Sequence, residues 1–156
     1  MIGTIIGGLV VGGMVAEYAK SKKDAKAAKS KNYAQTIVIH QTVDKKLNKQ
    51  VNFFDKYRAL DTELARYVRE GFKGVTYLEK GLEVSRTNNS LKQSLRNIRN
   101  YRNKLSHDKR QWKNIEEPSS TIMSDLGKAI SWVNCNRNLA ANMVYKGKKA
   151  FSNKYY

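Results

Sequence analysis

The sequence predicts an all-α protein, a bundle of four to five helices preceded by an apolar, glycine-rich segment. Three observations predict this class. Apolar residues recur every three or four positions across residues 33–146, which is the period of a helix. The chain has one proline, Pro118, and no run of alternating polar and apolar residues is long enough for a sheet. A length of 156 residues suits one domain with an ordinary core.

The first sixteen residues have no charge and include five glycines. As a helix they would rise about 24 Å, less than the ~30 Å hydrocarbon core of a bilayer. Three interpretations of the apolar segment 1–19 stay open: a short membrane anchor formed by residues 1–16, a helix packed against a second protomer or partner, and a flexible leader. Residues 20–32 form a basic linker with six lysines and one acid. If the anchor inserts, this linker keeps the body of the protein at the cytoplasmic face of the membrane.

Residues 33–146 are predicted to form the helical domain. Apolar spacing predicts a first helix over 33–58. Asp61 or Thr62 is expected to cap a second helix, whose apolar stripe runs to Leu82. Three glycines weaken this second helix but would allow close contact with another helix: Gly71, Gly74 and Gly81.

Two further helices are predicted in the second half of the domain. Residues 87–90, Thr-Asn-Asn-Ser, are a turn and cap cluster, so a third helix should begin at Leu91 and end at Ser106 or slightly beyond. Pro118, with the two serines that follow it, interrupts the chain and caps a fourth helix over 120–146.

The formal net charge is +17, from thirty Lys and Arg against thirteen Asp and Glu. So large an excess favours a polyanionic partner, either nucleic acid or an anionic membrane surface. The charge is clustered, since residues 92–113 include eight basic residues and one acid. Residues 147–156 form a basic aromatic tail, expected either to be solvated or to lie along RNA. One cysteine and two histidines exclude an internal disulfide and a multi-cysteine metal site, and no cofactor is expected.

The third helix has an arginine in its apolar stripe. The stripe residues are spaced by 4, 3, 4 and 3 positions, so they fall within about 40° of one line on a helix. They are Leu91, Leu95, Ile98, Arg102 and Leu105. A guanidinium at such a position is costly unless it is paired or lies at a groove, and departures of this kind are expected at functional sites.

Arg102, Asn103 and His107 form the pattern Arg-Asn-x-x-x-His, whose residue types suit chemistry on a phosphodiester. Histidine transfers protons near neutral pH, and arginine is a permanent planar cation that suits phosphate. Asparagine supplies a donor and an acceptor that can orient either group. A second copy packed by twofold symmetry would bring two arginines and two histidines into one cleft, so a homodimer is expected.

This pattern resembles the signature of the HEPN superfamily, in which Arg-x4-His, often with Asn second, lies in a late helix of an all-helical bundle. The resemblance covers roughly residues 33–146, but its specific part is short: Tyr101-Arg102-Asn103-Lys104-Leu105-Ser106-His107. It implies a metal-independent endoribonuclease, usually a homodimer with a composite site. Such proteins are frequent in toxin–antitoxin and antiviral defence systems, so an antitoxin or regulatory protein is a further possible partner.

The resemblance also implies roles for the motif residues. His107 would be the general acid or base, Arg102 would stabilise the phosphorane, and Asn103 would orient these groups. The expected products have 2′,3′-cyclic phosphate and 5′-hydroxyl ends. Five neighbouring basic residues are candidates for RNA binding: Arg96, Arg99, Lys104, Lys109 and Arg110.

The sequence departs from one branch of this superfamily at Lys109, where toxins paired with nucleotidyltransferase antitoxins have a tyrosine. Inactivation by modification of that tyrosine is therefore not expected. An acid from an earlier helix is used by many members, and spacing does not choose between Glu63 and Glu70. Two alternatives stay open: a non-catalytic module that binds RNA or a partner protein, and a small membrane protein whose basic face binds anionic lipid. A cytoplasmic location is expected, with or without the anchor.

Overall fold

The structure, a computed structural model, describes residues 23–105 and 108–155. Within those ranges the chain forms five α-helices, two short 3-10 helices and no strand, so the predicted all-α helical bundle is confirmed. The predicted apolar segment 1–19, with the expected anchor, lies outside the described residues, and so does His107. The α-helices are α1 (Lys23–Arg66), α2 (Gly74–Val84), α3 (Asn89–Lys104), α4 (Ser120–Cys135) and α5 (Arg137–Ser152), and the 3-10 helices are Lys109–Asn114 and Asn153–Tyr155.

The chain divides into two compact units between Leu47 and Asn48. In the first unit, the described residues 23–47 form the N-terminal part of α1, so most of the predicted basic linker is helical. The second unit contains the rest of α1 and all the later helices, with a core of buried apolar side chains that includes Phe53, Leu64, Leu78, Leu95, Trp112 and Leu126. In the described part of the chain, no helix combines the length and apolarity needed to cross a membrane.

The predicted boundary between the first two helices is wrong, because α1 continues to Arg66. Its buried stripe is continuous over Tyr57, Leu60 and Leu64, which leaves no reason to end the helix at residue 58. Asp61 does cap a helix N-terminus, but across space. Its carboxylate accepts hydrogen bonds from the backbone N–H groups of Lys73 (3.0 Å) and Val75 (2.8 Å), at the start of α2.

Helices α2 and α5 pack closely through two glycines. A Cβ atom on Gly81 would lie 1.8 Å from the backbone oxygen of Met143, and one on Gly147 would lie 1.8 Å from that of Tyr77. The close contact expected at Gly81 is therefore present, and its partner helix is α5. Gly74 makes a similar approach to α1, since a Cβ there would lie 2.2 Å from the backbone oxygen of Asp61.

The third helix agrees with its prediction, whereas the fourth is interrupted. Asn88 caps α3, its side chain accepting a hydrogen bond from the Leu91 N–H at 3.1 Å. Ser119 caps α4, its hydroxyl oxygen accepting a hydrogen bond from the Ile122 N–H at 3.1 Å. Helix α4 ends at Cys135 because Asn136 leaves the helical conformation (φ −133°, ψ 44°).

Helix α5 extends beyond the predicted limit at residue 146 and ends at Ser152. Gly147 is buried against α2, and the ring of Phe151 packs partly against the core. Residues 147–152 of the predicted tail are therefore part of the helical bundle. Packing against α2, which local spacing does not encode, extends the helix.

Candidate functional site

The end of α3 that includes the motif is fixed by buried hydrogen bonds. The indole N–H of Trp112 donates to the backbone oxygen of Leu105 at 3.0 Å, and the hydroxyl of Tyr101 donates to that of Glu116 at 2.7 Å. Burial raises the pKa of Tyr101 to about 12, so its hydroxyl keeps its proton. Gln50 of α1 adds two bonds, because its side-chain amide donates to the backbone oxygens of Trp112 (2.9 Å) and Ile115 (3.0 Å).

Arg102 lies in the last turn of α3, half-buried, at the stripe position that the sequence predicts. Its guanidinium carbon is 5.9 Å from the ring centre of Phe54. No carboxylate in residues 44–105 or 108–154 forms a salt bridge with it. Arg102 also affects Tyr57. Burial and the charge of Asp61 raise the pKa of the Tyr57 phenol, and the positive charge of Arg102 lowers it. The cation is thus held against an aromatic ring without a salt bridge to any described carboxylate, an arrangement suited to an anionic ligand.

Phe54 joins this arginine to a second aromatic ring and a second cation. Its ring centre is 5.3 Å from that of Trp112, and the ammonium of Lys109 is 5.6 Å from the centre of the Trp112 ring. Arg102 and Lys109 therefore flank one pair of packed aromatic rings, although they belong to different helices. We call this group, Arg102, Phe54, Trp112 and Lys109, the cation–aromatic cluster.

The other motif residues are placed less fully. Asn103 and Lys104 are exposed in the last turn of α3. His107 lies outside the described residues, so the relation of its imidazole to Arg102 stays a prediction.

Two of the predicted RNA-binding residues, Arg96 and Arg99, pair with the same buried carboxylate. Glu79 of α2 accepts from the Nε atoms of Arg96 at 3.0 Å and of Arg99 at 2.8 Å. The Glu79 side chain is only 9% exposed, whereas those of Arg99 and Arg96 are 29% and 42% exposed. The hydrogen bond to Glu79 raises the pKa of Arg99. These arginines therefore compensate a buried charge, which lowers their availability to phosphate.

Glu79 was not found from the sequence. It lies next to Leu78 in a helix whose local pattern indicates only an apolar stripe. Its arginine partners are 17 and 20 residues away, so helical spacing does not connect them to it. The two acids considered from sequence have other neighbours. Glu70 accepts from the Tyr77 hydroxyl at 2.7 Å and pairs with Lys148 at 2.9 Å, which lowers its pKa. Glu63 lies on α1 in a shallow groove with Asp55, Arg58 and Arg66.

Lys109 and Arg110 lie at the start of the 3-10 helix that follows the motif. Asp108 caps that helix by accepting from the Arg110 N–H at 2.9 Å, and it also accepts from the Arg110 Nε at 2.7 Å. These bonds lower the pKa of Asp108 and raise that of Arg110. Because the pair is exposed, Arg110 remains within reach of a ligand at a small cost.

The structure thus separates the predicted site residues into two groups. Arg102, Asn103, Lys104, Lys109 and Arg110 lie around the C-terminal end of α3 and the next helix, while Arg96 and Arg99 face Glu79. No group of three His, Cys, Asp or Glu side chains among the described residues is arranged as a possible metal site.

Comparison with known proteins gives no family assignment. No family model matches the sequence, and neither a curated protein nor a solved structure matches the chain. The HEPN resemblance of residues 101–107 therefore stays a prediction.

Proposed function

We propose that this protein is a metal-independent endoribonuclease of the HEPN type, acting as a toxin or antiviral-defence effector. The observation that supports it most is the state of Arg102. This arginine occupies a half-buried position over Phe54, has no salt bridge to a described carboxylate, and precedes His107 by five residues. A cation placed at this cost is expected where it binds a phosphate group.

In this proposal the ribose 2′-hydroxyl attacks the adjacent phosphorus and displaces the 5′-oxygen of the next nucleotide. His107 takes the proton from the hydroxyl or gives one to the leaving oxygen, and Arg102 stabilises the charge that accumulates on the phosphorane. Asn103 orients these groups. The products are a 2′,3′-cyclic phosphate and a 5′-hydroxyl, so no water is consumed in the first step.

The surroundings of Arg102 support this role energetically. A guanidinium partly withdrawn from water interacts more strongly with an anion than one that is fully solvated. The hydrogen bonds of Trp112 and Tyr101 fix the end of α3, so the arginine requires little reorganisation when phosphate binds. Lys104, Lys109 and Arg110 are exposed nearby and supply long-range attraction for RNA.

The proposal includes a homodimer with a composite site. One chain has a single Arg102 and a single His107, and twofold packing of the α3 ends would double both in one cleft. Light scattering after size-exclusion chromatography should give twice the chain mass of 17.8 kDa. An antitoxin or other regulatory protein is a proposed partner, and residues 1–16 are a proposed membrane anchor.

The test is incubation of the full chain with total RNA in EDTA, followed by analysis of the product ends. His107→Ala should lower the cleavage rate by roughly 10²- to 10⁴-fold, because proton transfer is lost. Arg102→Ala should lower it by roughly 10²- to 10³-fold, because charge stabilisation is lost. The parent should leave 2′,3′-cyclic phosphate and 5′-hydroxyl ends.

Arg58→Ala is the matched control, since it removes one exposed arginine from α1 and should leave cleavage unchanged. Circular dichroism should show all the variants folded. Equal cleavage by the parent and by both motif variants, or cleavage that EDTA abolishes, would contradict the proposal.

A second candidate is a non-catalytic RNA-binding module. It is favoured by the exposed cations Lys104, Lys109 and Arg110 around the motif, which attract RNA whether or not it is cleaved. Under this alternative His107→Ala has no effect. Neutralising Lys104 and Lys109 would still weaken binding and reduce its salt dependence.

A further inference from the structure

A groove on the α5 side of the second unit has a composition that the motif does not explain. Its volume is about 370 Å³. Two tyrosines, three cations and a serine hydroxyl line it, and none of its lining residues is acidic. We call it the tyrosine groove and define it by Tyr67, Arg69, Tyr145, Lys148, Lys149 and Ser152.

One wall of the tyrosine groove is a face of α5. Tyr145, Lys148, Lys149 and Ser152 are separated by three, one and three positions, so they lie on the same side of the helix over two turns. Gly147 is buried on another face of α5, against the Tyr77 backbone, which fixes the rotation of the helix about its axis. The tyrosine and the lysines are therefore held in a row facing the groove.

The other wall is the turn that follows α1. Tyr67 and Arg69 are exposed there, and Arg69 has a left-handed backbone (φ 59°). Backbone hydrogen bonds hold the turn: the Tyr67 N–H donates to the Leu64 oxygen at 3.2 Å, and the Arg69 N–H donates to the Arg66 oxygen at 3.0 Å. Lys148 joins the two walls by donating to the Val68 backbone oxygen at 3.2 Å. The groove is thus formed by ordered elements before any ligand binds.

The tyrosines of this groove differ from those of the core. Tyr57, Tyr77 and Tyr101 are at most 8% exposed, whereas Tyr67 and Tyr145 are 37% and 60% exposed. These two partly exposed rings line one cavity beside cations. Glu70 is the acid nearest to Lys148 in the described residues, and Tyr77 and Lys148 already engage it.

We propose that the tyrosine groove binds single-stranded RNA, with bases stacked on Tyr67 and Tyr145 and phosphates held by Arg69 and Lys149. Exposed aromatic rings interleaved with cations are how proteins bind single strands without sequence preference. An acidic peptide would need the cations but not the two partly exposed tyrosines beside them. The choice of RNA over DNA rests on the proposed function, and none of the residues that line the groove belongs to the motif.

The test uses a fluorescein-labelled 2′-O-methyl oligouridine of ~12 nucleotides, with binding to the full chain followed by fluorescence anisotropy. This probe has no free 2′-hydroxyl, so binding is measured without cleavage. Tyr67→Ala and Tyr145→Ala should each raise Kd by roughly 5- to 100-fold, as expected for one lost stacking contact. Tyr145→Phe keeps the ring and should stay within about twofold of the parent. If Tyr67→Ala unfolds, Tyr145→Ala at the more exposed position remains decisive.

Lys149→Gln and Lys128→Gln form a matched pair, because both replace an exposed helical lysine and remove one charge. Lys149→Gln should reduce the slope of log Kd against log salt by roughly 0.7, while Lys128→Gln should leave it unchanged. The proposal would be overturned if the two lysine variants reduced the salt slope equally, or if both alanine variants bound the oligonucleotide as tightly as the parent. Binding to phosphatidylserine vesicles without binding to the oligonucleotide would overturn it as well. Failure of the proposed function would instead appear as absent cleavage with oligonucleotide binding intact.

Discussion

Helices α3 and α5 are both basic, but the protein uses their charge in different ways. Arg96 and Arg99 of α3 face α2 and pair with the buried carboxylate of Glu79. Tyr145 and Lys149 of α5 face solvent in the tyrosine groove. Composition alone would treat the two helices as equivalent basic surfaces. The packed neighbour decides which cations compensate an internal charge and which stay exposed at the surface.

Arg102 shows the same dependence on neighbours within a single helix. It lies one turn beyond Arg99, but the side chain that it meets is the ring of Phe54. Arg102 lies six positions beyond Arg96, which pairs with Glu79, whereas Arg102 pairs with no carboxylate among the described residues. Along α3 the arginines therefore change from pairing with a buried carboxylate to packing over an aromatic ring.

The largest expected effect tests the contact that positions α5. Gly147→Ala places a Cβ atom 1.8 Å from the Tyr77 backbone oxygen, so α5 must move away from α2. We expect the free energy of unfolding to fall by about 3 kcal/mol or more. Oligonucleotide binding should weaken as well, because α5 forms one wall of the tyrosine groove. Urea denaturation followed by circular dichroism measures the first effect.

Gly127→Ala is the control for that experiment. Gly127 lies in α4, and a Cβ atom there meets nothing within 4 Å. The substitution should stabilise the protein by roughly 0.5–1 kcal/mol, because alanine is the better helix former. A Gly147→Ala variant as stable as the parent would show that α5 is not seated on α2 as described.

The second largest expected effect comes from removing the carboxylate that pairs with two arginines of α3. Glu79→Ala removes a buried partner of Arg96 and Arg99, and the free energy of unfolding should fall by roughly 2–3 kcal/mol. Partial exposure lets both arginines regain water, which limits the loss. The freed arginines should also tighten binding of the oligonucleotide.

Glu83→Ala makes the same charge change on the same helix. Glu83 forms an exposed pair with Lys80 at 2.9 Å, and its loss should cost under about 0.5 kcal/mol. Any tightening of binding beyond that of Glu83→Ala is then due to Arg96 and Arg99. Equal stability of the two variants would contradict the structural role assigned to Glu79.

The third expected effect, and the smallest for any one residue, is a loss of stability at alkaline pH. Burial raises the pKa of Tyr101, beside the α3 end, to about 12, and burial together with the hydrogen bond to Glu70 raises that of Tyr77, beside α5, to about 12. The unfolded phenols ionise near pH 10, so the folded state binds more protons between about pH 10 and about pH 12. Stability is complete below pH 10 and falls across this interval, by roughly 1–2 kcal/mol for each tyrosine.

Phenylalanine substitutions assign the alkaline loss to one region or the other. Tyr101→Phe should remove the share of the alkaline stability loss that comes from the α3 end. Tyr77→Phe should remove the share that comes from the α2–α5 contact. Urea unfolding at several pH values measures both slopes. If neither substitution reduces the decline, the tyrosines are not its source.

The sequence predicts those parts of the fold that residues close together in the chain determine. The all-α class and the start of α3 follow from helical spacing and the Asn88 cap, which are properties of neighbouring residues. The end of α1 could not be predicted, because Asp61 caps a helix that begins thirteen residues later. The break at Asn136 was also missed, since apolar residues continue at helical spacing on both sides of it.

The candidate site shows the same limit. The stripe position of Arg102 was predicted, because a single helix defines it. The removal of Arg96 and Arg99 from the predicted RNA surface was not, since it depends on how α2 packs against α3 and brings Glu79 to them. The tyrosine groove joins Tyr67 to Tyr145 across 78 positions, and no spacing rule connects residues so far apart.

The hydrogen bond from Trp112 to Leu105 also provides a spectroscopic handle. The chain has two tryptophans, so Trp132→Phe leaves Trp112 as the only indole. Trp112 is 1% exposed, and its N–H is bound to the last turn of the motif helix. Its emission maximum and its quenching by iodide therefore follow the integrity of the α3 end without an added dye. The proposed binding of RNA at Arg102 can then be timed in the Trp132→Phe variant by stopped-flow fluorescence.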